Sequence, residues 1–183
     1  MTADPTSPLA AWTDRLAELA PALIAAERPF RSQLTVRVSD PDAVAAMGAA
    51  LGVVFPSVPC TFTAGSGAFG ATEVLWLGPD EWLVTDPSRS PQELEAELRA
   101  AVGDEAAVVD VSAQRTTLRL RGEHVRDVLA TGCAVDLHPR AFPAGSAVQT
   151  TLGLAGVVLL ALDETATHYQ LLVRSSFARY LAT

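Results

Sequence analysis

The chain has 183 residues, 49% hydrophobic and 19% charged, with a formal net charge of −8 at pH 7. That balance is globular, and the negative charge excludes a general nucleic-acid binder because nothing offsets phosphate repulsion. All 13 basic residues are Arg, which excludes Schiff-base lysine chemistry and a phosphate-binding lysine of the P-loop kind.

The opening residues 1–7 are polar and interrupted by Pro5. Ser7-Pro8 then supplies a helix N-cap followed by proline at the first helical position, and Trp12, Leu16, Leu19 and Leu23 follow at helical spacing, with Pro21 expected to kink or split the helix. Residues 1–30 therefore read as a tail and helical arm, packed on its own domain or docked on another subunit. From Leu34 a strand alternates Leu34, Val36 and Val38 with Thr35 and Arg37. Asp40-Pro41 ends it, and Val44, Met47 and Leu51 form a helix closed by Gly52.

Gly65-Ser66-Gly67-Ala68-Phe69-Gly70 matches the dinucleotide-binding spacing, but residues 71–77 read as a strand and open no helix, so the segment is expected to be an inter-strand loop. Residues 74–77 and 82–84 read as strands. The helix Pro91–Val102 is well specified, with Ser90 and Glu93 as a capping box, Pro91 in the first turn, and Leu94, Leu98 and Val102 as its buried stripe.

Val108, Val109 and Val111 read as a buried strand. Residues 116–121 alternate inward Leu118 and Leu120 with outward Thr117, Arg119 and Arg121, and Val125, Val128 and Leu129 then recur at helical spacing up to Gly132. Residues 157–160 and 171–173 answer 74–77 and 82–84, and a short helix over 177–181 answers Pro91–Val102. Each half thus reads strand, helix, two strands, helix, strand, which is the split β-α-β pattern of a ferredoxin-like unit. The expected fold class is α+β with two ferredoxin-like units in tandem: an arm over 1–30, a first half over 31–112 and a second over 113–183, in one two-lobed domain.

Chemistry-bearing residues are sparse. Cys60 and Cys133 sit in no ligand-like cluster and read as buried thiols in a reducing cytosol. His124, His138 and His168 form no i,i+4 pair, so a metal site has little support. Ser112, Ser146, Ser175 and Ser176 lack a nucleophile elbow. Two features stand out. Arg115, Arg119, Arg121, Arg126 and Arg140 make a local positive stripe in an acidic chain, read as a solvated face, an anion site or a salt-bridged subunit contact. Asp136-Leu137-His138-Pro139-Arg140 is a rigid polar loop of a composition that no turn requires, so Asp136, His138 and Arg140 are candidate partner or anion contacts alongside Arg115, Arg119 and Arg121.

From Leu34 onward the chain resembles the gamma subunit family of bacterial heterotetrameric sarcosine oxidase. The resemblance rests on Leu77-Gly78-Pro79-Asp80-Glu81-Trp82, on Asp110-Val111-Ser112 with Arg115, and on Asp136-Leu137-His138-Pro139-Arg140-Ala141-Phe142, together with Gly145, Thr150-Thr151-Leu152 and Ser175-Ser176-Phe177-Ala178. It implies a fold like the folate-binding domain of glycine-cleavage aminomethyltransferase, and a supporting role in oxidative demethylation of sarcosine beside alpha, beta and delta subunits. It also implies that flavins sit in the beta subunit, that NAD and the tetrahydrofolate site sit in the alpha subunit, and that this chain carries no cofactor and no catalytic residue. The Lys-Gly-Cys-Tyr-x-Gly-Gln signature of stand-alone folate-dependent relatives is missing. A degenerate folate-binding module is the alternative, and a scaffold of another amine oxidase a third. No basic-then-apolar leader opens the chain and no apolar run reaches spanning length, so a soluble cytoplasmic protein is expected, bound to neither membrane nor nucleic acid.

Overall fold

The computed structural model of the protein describes residues 5–66 and 72–183. A 3-10 turn at Ala10–Trp12 leads into a short helix α1 (Thr13–Ala17), and the chain then enters a strand β1 (Ile24–Arg28). The arm is therefore helical only near its middle. Leu16 and Leu23 are buried as an amphipathic helix would require, but Leu19 is exposed and the segment from Ile24 is extended. The extended stretch carries no local signal, because Ile-Ala-Ala-Glu-Arg has neither clean alternation nor β-branched density. It exists because a neighbouring strand pairs with it.

The first repeat follows the expected grammar. Strand β2 (Ser32–Arg37) buries Leu34 and Val36, and helix α2 (Pro41–Leu51) begins at Asp40, whose carboxylate accepts from the Asp42 N–H, and ends at Gly52 in the left-handed region. A short strand β3 (Phe62–Ala64) precedes the hairpin of β4 (Glu73–Gly78) and β5 (Glu81–Asp86). Helix α3 (Pro91–Val102) carries both reciprocal bonds of the capping box, Ser90 with Glu93, and buries Leu94, Leu98 and Val102. Strand β6 (Ala107–Asp110) closes the repeat as an edge. Because it pairs only with β2, just Val108 of the expected buried run is covered, while Val109 is 54% exposed.

In the second repeat, β7 (Arg115–Arg121) leads to helix α4 (Val125–Ala130), then β8 (Ala147–Leu152), β9 (Ala155–Ala161) and β10 (His168–Arg174). A 3-10 turn at Ser175–Phe177 runs into helix α5 (Ala178–Leu181). Helix α4 buries Val125 and Leu129 but leaves Val128 exposed, so its apolar stripe is one residue narrower than expected.

The strands form two five-stranded sheets, ordered β3-β4-β5-β2-β6 and β1-β7-β10-β9-β8. Read from the opposite end, the first becomes β6-β2-β5-β4-β3, and the two orders then match place for place. Strand β2 corresponds to β7, β5 to β10, β4 to β9 and β3 to β8. The place of β6 is taken in the other sheet by β1, antiparallel to β7 as β6 is to β2.

The chain divides into two compact units: Arg31–Ser112 with Gly145–Val148, and Met1–Phe30 with Ala113–Ala144 and Gln149–Thr183. The core of the first unit joins Leu34, Val36, Met47, Val84, Leu94 and Leu98, with Phe55 edge-on to Trp82 at 5.6 Å. The Trp82 indole N–H donates to the Pro56 carbonyl at 2.8 Å, so the large ring is buried without leaving a polar atom unsatisfied.

Helix α3 gives a test of what holds it. Leu98→Ala removes a fully buried side chain from the stripe and should cost about 2–5 kcal/mol, whereas Ser90→Ala removes only a cap and should cost about 1 kcal/mol. Urea unfolding of the full chain and both variants checks the ranking; equal losses would mean that the cap, not the stripe, anchors the helix.

Candidate functional site

Strand β7 places the arginines by simple alternation. Thr116, Leu118 and Leu120 point to one face of the sheet and are buried, and Arg115, Thr117, Arg119 and Arg121 point to the other; there Thr117 is only 1% exposed and Arg121 alone is exposed, so this is not the outward, solvated face that the alternation suggested. Pairing with β10 sets Arg115 opposite Arg174, Arg119 opposite Gln170 and Arg121 opposite His168. The Arg119 Nε donates to Gln170 Oε1 at 2.6 Å, and Gln170 is fully buried. Burial pushes the Arg115 guanidinium below its ordinary value, and the positive charge of Arg174 adds to that. Burial likewise holds the His168 imidazole down, helped by Arg119 and Arg121 and opposed by Asp163.

The loop after α4 is built differently. The Asp136 carboxylate accepts from the His138 N–H at 2.9 Å, and His138 Nδ1 accepts from the Arg140 N–H at 3.2 Å. The Ala141 and Phe142 N–H groups both donate to the His138 carbonyl, at 2.8 and 2.9 Å. Beneath it, Leu137 and Phe142 are buried, Phe142 stacks on Tyr169 at 6.4 Å with the rings 3° from parallel, and the Tyr169 hydroxyl donates to the Leu137 carbonyl. Burial pushes the Tyr169 phenol up. The loop is thus held by its backbone and its apolar anchors, while Asp136, His138 and Arg140 remain exposed.

These two sets of candidates do not meet. Tyr169 shares its face of the sheet with Leu118 and Leu120, so the loop anchored on it lies on that side, and Arg115, Arg119 and Arg121 face the other way. Arg126 lies on α4, where it acts on the Tyr169 phenol, and it does not extend the β7 row. His124 approaches Asp127 at 3.5 Å at the exposed start of α4. The residues of the glycine-rich segment beyond Ser66 lie at 67–71, outside the described residues, while Gly65 and Thr72 flank it between β3 and β4, where an inter-strand loop was expected. Cys60 is exposed and Cys133 half-buried, against the expectation of two buried thiols; both occupy connections outside the strands and helices. Among the described residues, no three His, Cys, Asp or Glu side chains group as metal ligands, and no helix is long and apolar enough to cross a membrane.

One polar cluster had no signal in the sequence. In the first unit Arg31 reaches Glu73 at 3.3 Å and Thr85 at 2.9 Å, and Asp86 accepts from Thr72 Oγ1 and from the Ser88 and Arg89 N–H groups. Burial raises the Asp86 carboxyl, but these bonds outweigh it and hold the group below its ordinary value. The members are 54 and 14 positions apart in the chain, so no local spacing marks them.

A family model described as "Sarcosine oxidase, gamma subunit family" matches residues 36–183. Sarcosine oxidase subunit gamma of Corynebacterium sp. (strain P-1) is 40% identical over 156 residues, 84% of this chain and 73% of that protein. The Arthrobacter subunit gamma is 42% identical over 140 residues, 75% of this chain; the chain spans 66% of that relative's length. Among solved structures, heterotetrameric sarcosine oxidase from Corynebacterium sp. U-96, in complex with pyrrole 2-carboxylate, matches with a TM-score of 0.85 at 33% identity, over 97% of this chain and 91% of the matched one. The glycine cleavage system aminomethyltransferase T from Bartonella henselae matches with a TM-score of 0.60 at 15% identity, over 93% of this chain and 47% of that one. The fold is therefore α+β of the aminomethyltransferase type.

The cationic face predicts a pH response. The folded pKa of His168 lies below its unfolded value, so between the two the unfolded chain binds more protons and stability rises with pH. Stability is then complete above about pH 6.5 and declines as the pH falls through that value towards the folded one. Replacing the group by a neutral amide, His168→Gln, should remove this decline, and thermal melts from pH 7.5 to 5 would show it as a narrowing gap between variant and wild type. A gap independent of pH would mean that neither burial nor the arginines hold this imidazole down in the folded chain.

Proposed function

The chain belongs to the sarcosine oxidase gamma subunit family, and we propose that it serves as the non-catalytic gamma subunit of a heterotetrameric sarcosine oxidase, supporting oxidative demethylation of sarcosine to glycine. The observation that carries this reading is the likeness to a chain of the heterotetramer over 97% of the length, which takes in both units. Its partners are the alpha, beta and delta subunits, with flavins, NAD and tetrahydrofolate held there and none in this chain. A cytoplasmic location goes with that role and is supported by two thiols left unpaired. The degenerate folate-binding alternative rests on the fold alone.

The loop of Asp136, His138 and Arg140 presents an acid, an imidazole and a guanidinium on a backbone that is already ordered, so a partner would not meet the entropy cost of ordering it.

Two outcomes test the reading. The purified chain should show no flavin absorbance and form no peroxide from sarcosine, while co-expression with the other three subunits should give an active complex containing it. Replacing His138 and Arg140 by Ala should leave the chain's own melting temperature almost unchanged, because the hydrogen bond that the His138 ring accepts from the backbone is worth about 1 kcal/mol. If Arg140 meets a carboxylate across a desolvated contact, assembly weakens by about 2–5 kcal/mol, and a rim contact costs under about 1 kcal/mol. A lowered melting temperature with intact assembly would mean that the loop only braces itself.

A further inference from the structure

The helices laid on the two sheets differ in length, and the difference leaves space. Val36 and Leu120 hold matching places, each at the same remove from the N-cap of the following helix, Asp40 and His124. In the first unit α2 has 11 residues and α3 has 12, and together they close the core over Leu34 and Val36. In the second, α4 has 6 residues and α5, which answers α3, has 4. Val36 is flanked in its sheet by Val108, whereas Leu120 is flanked by Ala25 of the arm. Shorter helices and a smaller side chain leave part of a sheet uncovered unless something else fills the gap.

The arm fills some of that space. A cavity of about 370 Å³ remains, bounded by Leu118 and Leu120 of β7, Leu16 and Leu23 of the arm, and Leu129 and Leu181 of α4 and α5, all within the second unit. Leu19 and Val128 line it too. Helical spacing expects both at core positions, yet they are 43% and 47% exposed, so the gaps in the apolar stripes of the arm and of α4 open on the same cavity. Apolar cavities stay dry and take up apolar guests rather than water, and this one has the size of a small-ligand pocket.

Arg15 is the one charged residue among the described residues that line it. Its guanidinium lies 5.0 Å from the centre of the Trp12 ring, which steadies it, and it has no carboxylate partner among the described residues. The Thr183 hydroxyl, also in the lining, is already spent on the Arg179 carbonyl at 2.9 Å.

We propose that this cavity binds a medium-chain aliphatic carboxylate, with its tail against Leu118, Leu120 and Leu129 and its carboxylate on Arg15. Aliphatic walls match the tail, and the forked guanidinium matches a planar carboxylate. The tail also covers Leu19 and Val128. An aliphatic side chain of another subunit would meet the same leucines but leave Arg15 unanswered. The inference stands whether or not the chain serves in an oxidase.

The test titrates the full chain with octanoate, with acetate as the head without the tail and 1-octanol as the tail without the head, followed by calorimetry and side-chain methyl shifts. Saturable octanoate binding is expected, with shifts at Leu118, Leu120 and Leu129, weaker binding of octanol and none of acetate. Arg15→Gln should weaken octanoate about tenfold, the worth of one hydrogen bond to a charged group, and leave octanol unchanged. Ala25→Leu enlarges the side chain beside Leu120 and should abolish binding of both without lowering the melting temperature. Ala182→Leu, from the side of α5, repeats the measurement should Ala25→Leu not fold. Octanoate that fails to bind, or binds the filled variants as well as wild type, overturns the proposal. So does octanoate that binds no tighter than octanol, or as tightly to Arg15→Gln as to wild type. A chain that takes up no octanoate but fails to assemble with the other subunits as Ala25→Leu overturns it too, because the cavity would then receive a partner's side chain.

Discussion

Strict alternation along β7 is the constraint on which the rest of the second unit depends. One face must present Thr116, Leu118 and Leu120 to the interior, so every arginine of the segment is forced to the other face. A one-residue slip would carry three guanidiniums into the apolar space that Leu118 and Leu120 fill, a cost far beyond any gain from re-pairing. Register with β1 and β10 is therefore held tightly. The same register that protects the core also lines up Arg115 with Arg174 and Arg121 with His168. The electrostatics of the arginine face are thus a consequence of packing on the leucine face.

The two sheets show how one backbone plan carries two kinds of chemistry. In the first, charged groups at inward positions are neutralised on the spot: Arg31 by Glu73, and Asp86 by a hydroxyl and backbone N–H groups. Buried pairs of this kind seldom add net stability over an apolar filling of the same volume, but removing one partner leaves a stranded charge. In the second, apolar filling stands at Val158 and Leu172 while the arginine is kept and faces another. Equivalent places in the two sheets thus hold an ion pair in one and two facing arginines in the other.

What was legible in the sequence was local. The capping box of Ser90 and Glu93 and the stripe of Leu94, Leu98 and Val102 are spaced within one helix, so the chain announces them. The doubled pattern was legible for the same reason, since each strand and helix carries its own period. Strand β1 was not, because nothing in Ile-Ala-Ala-Glu-Arg favours extension until β7 offers its free edge. The overstatement at Val109 has the same origin: a valine run says strand, but only the place of β6 at the sheet edge decides how much of it is covered. Among the candidate residues, the loop of Asp136 stood out by its unusual composition. The facing of Arg115 by Arg174 could not be, being set by a pairing across 59 positions of chain.

The separation of the loop from the arginine row bears on what each can be for. They lie on opposite faces of one sheet, with the Tyr169 side chain on the loop's side and Gln170 on the other, one residue apart in the chain and pointing in opposed directions. A single small ligand cannot bridge them. The loop spends its backbone polarity on itself and leaves side chains exposed, which suits a surface read by a partner. The arginine row is set instead by register and is partly buried. The two surfaces share no side chain, so changes at one should leave the energetics of the other nearly additive.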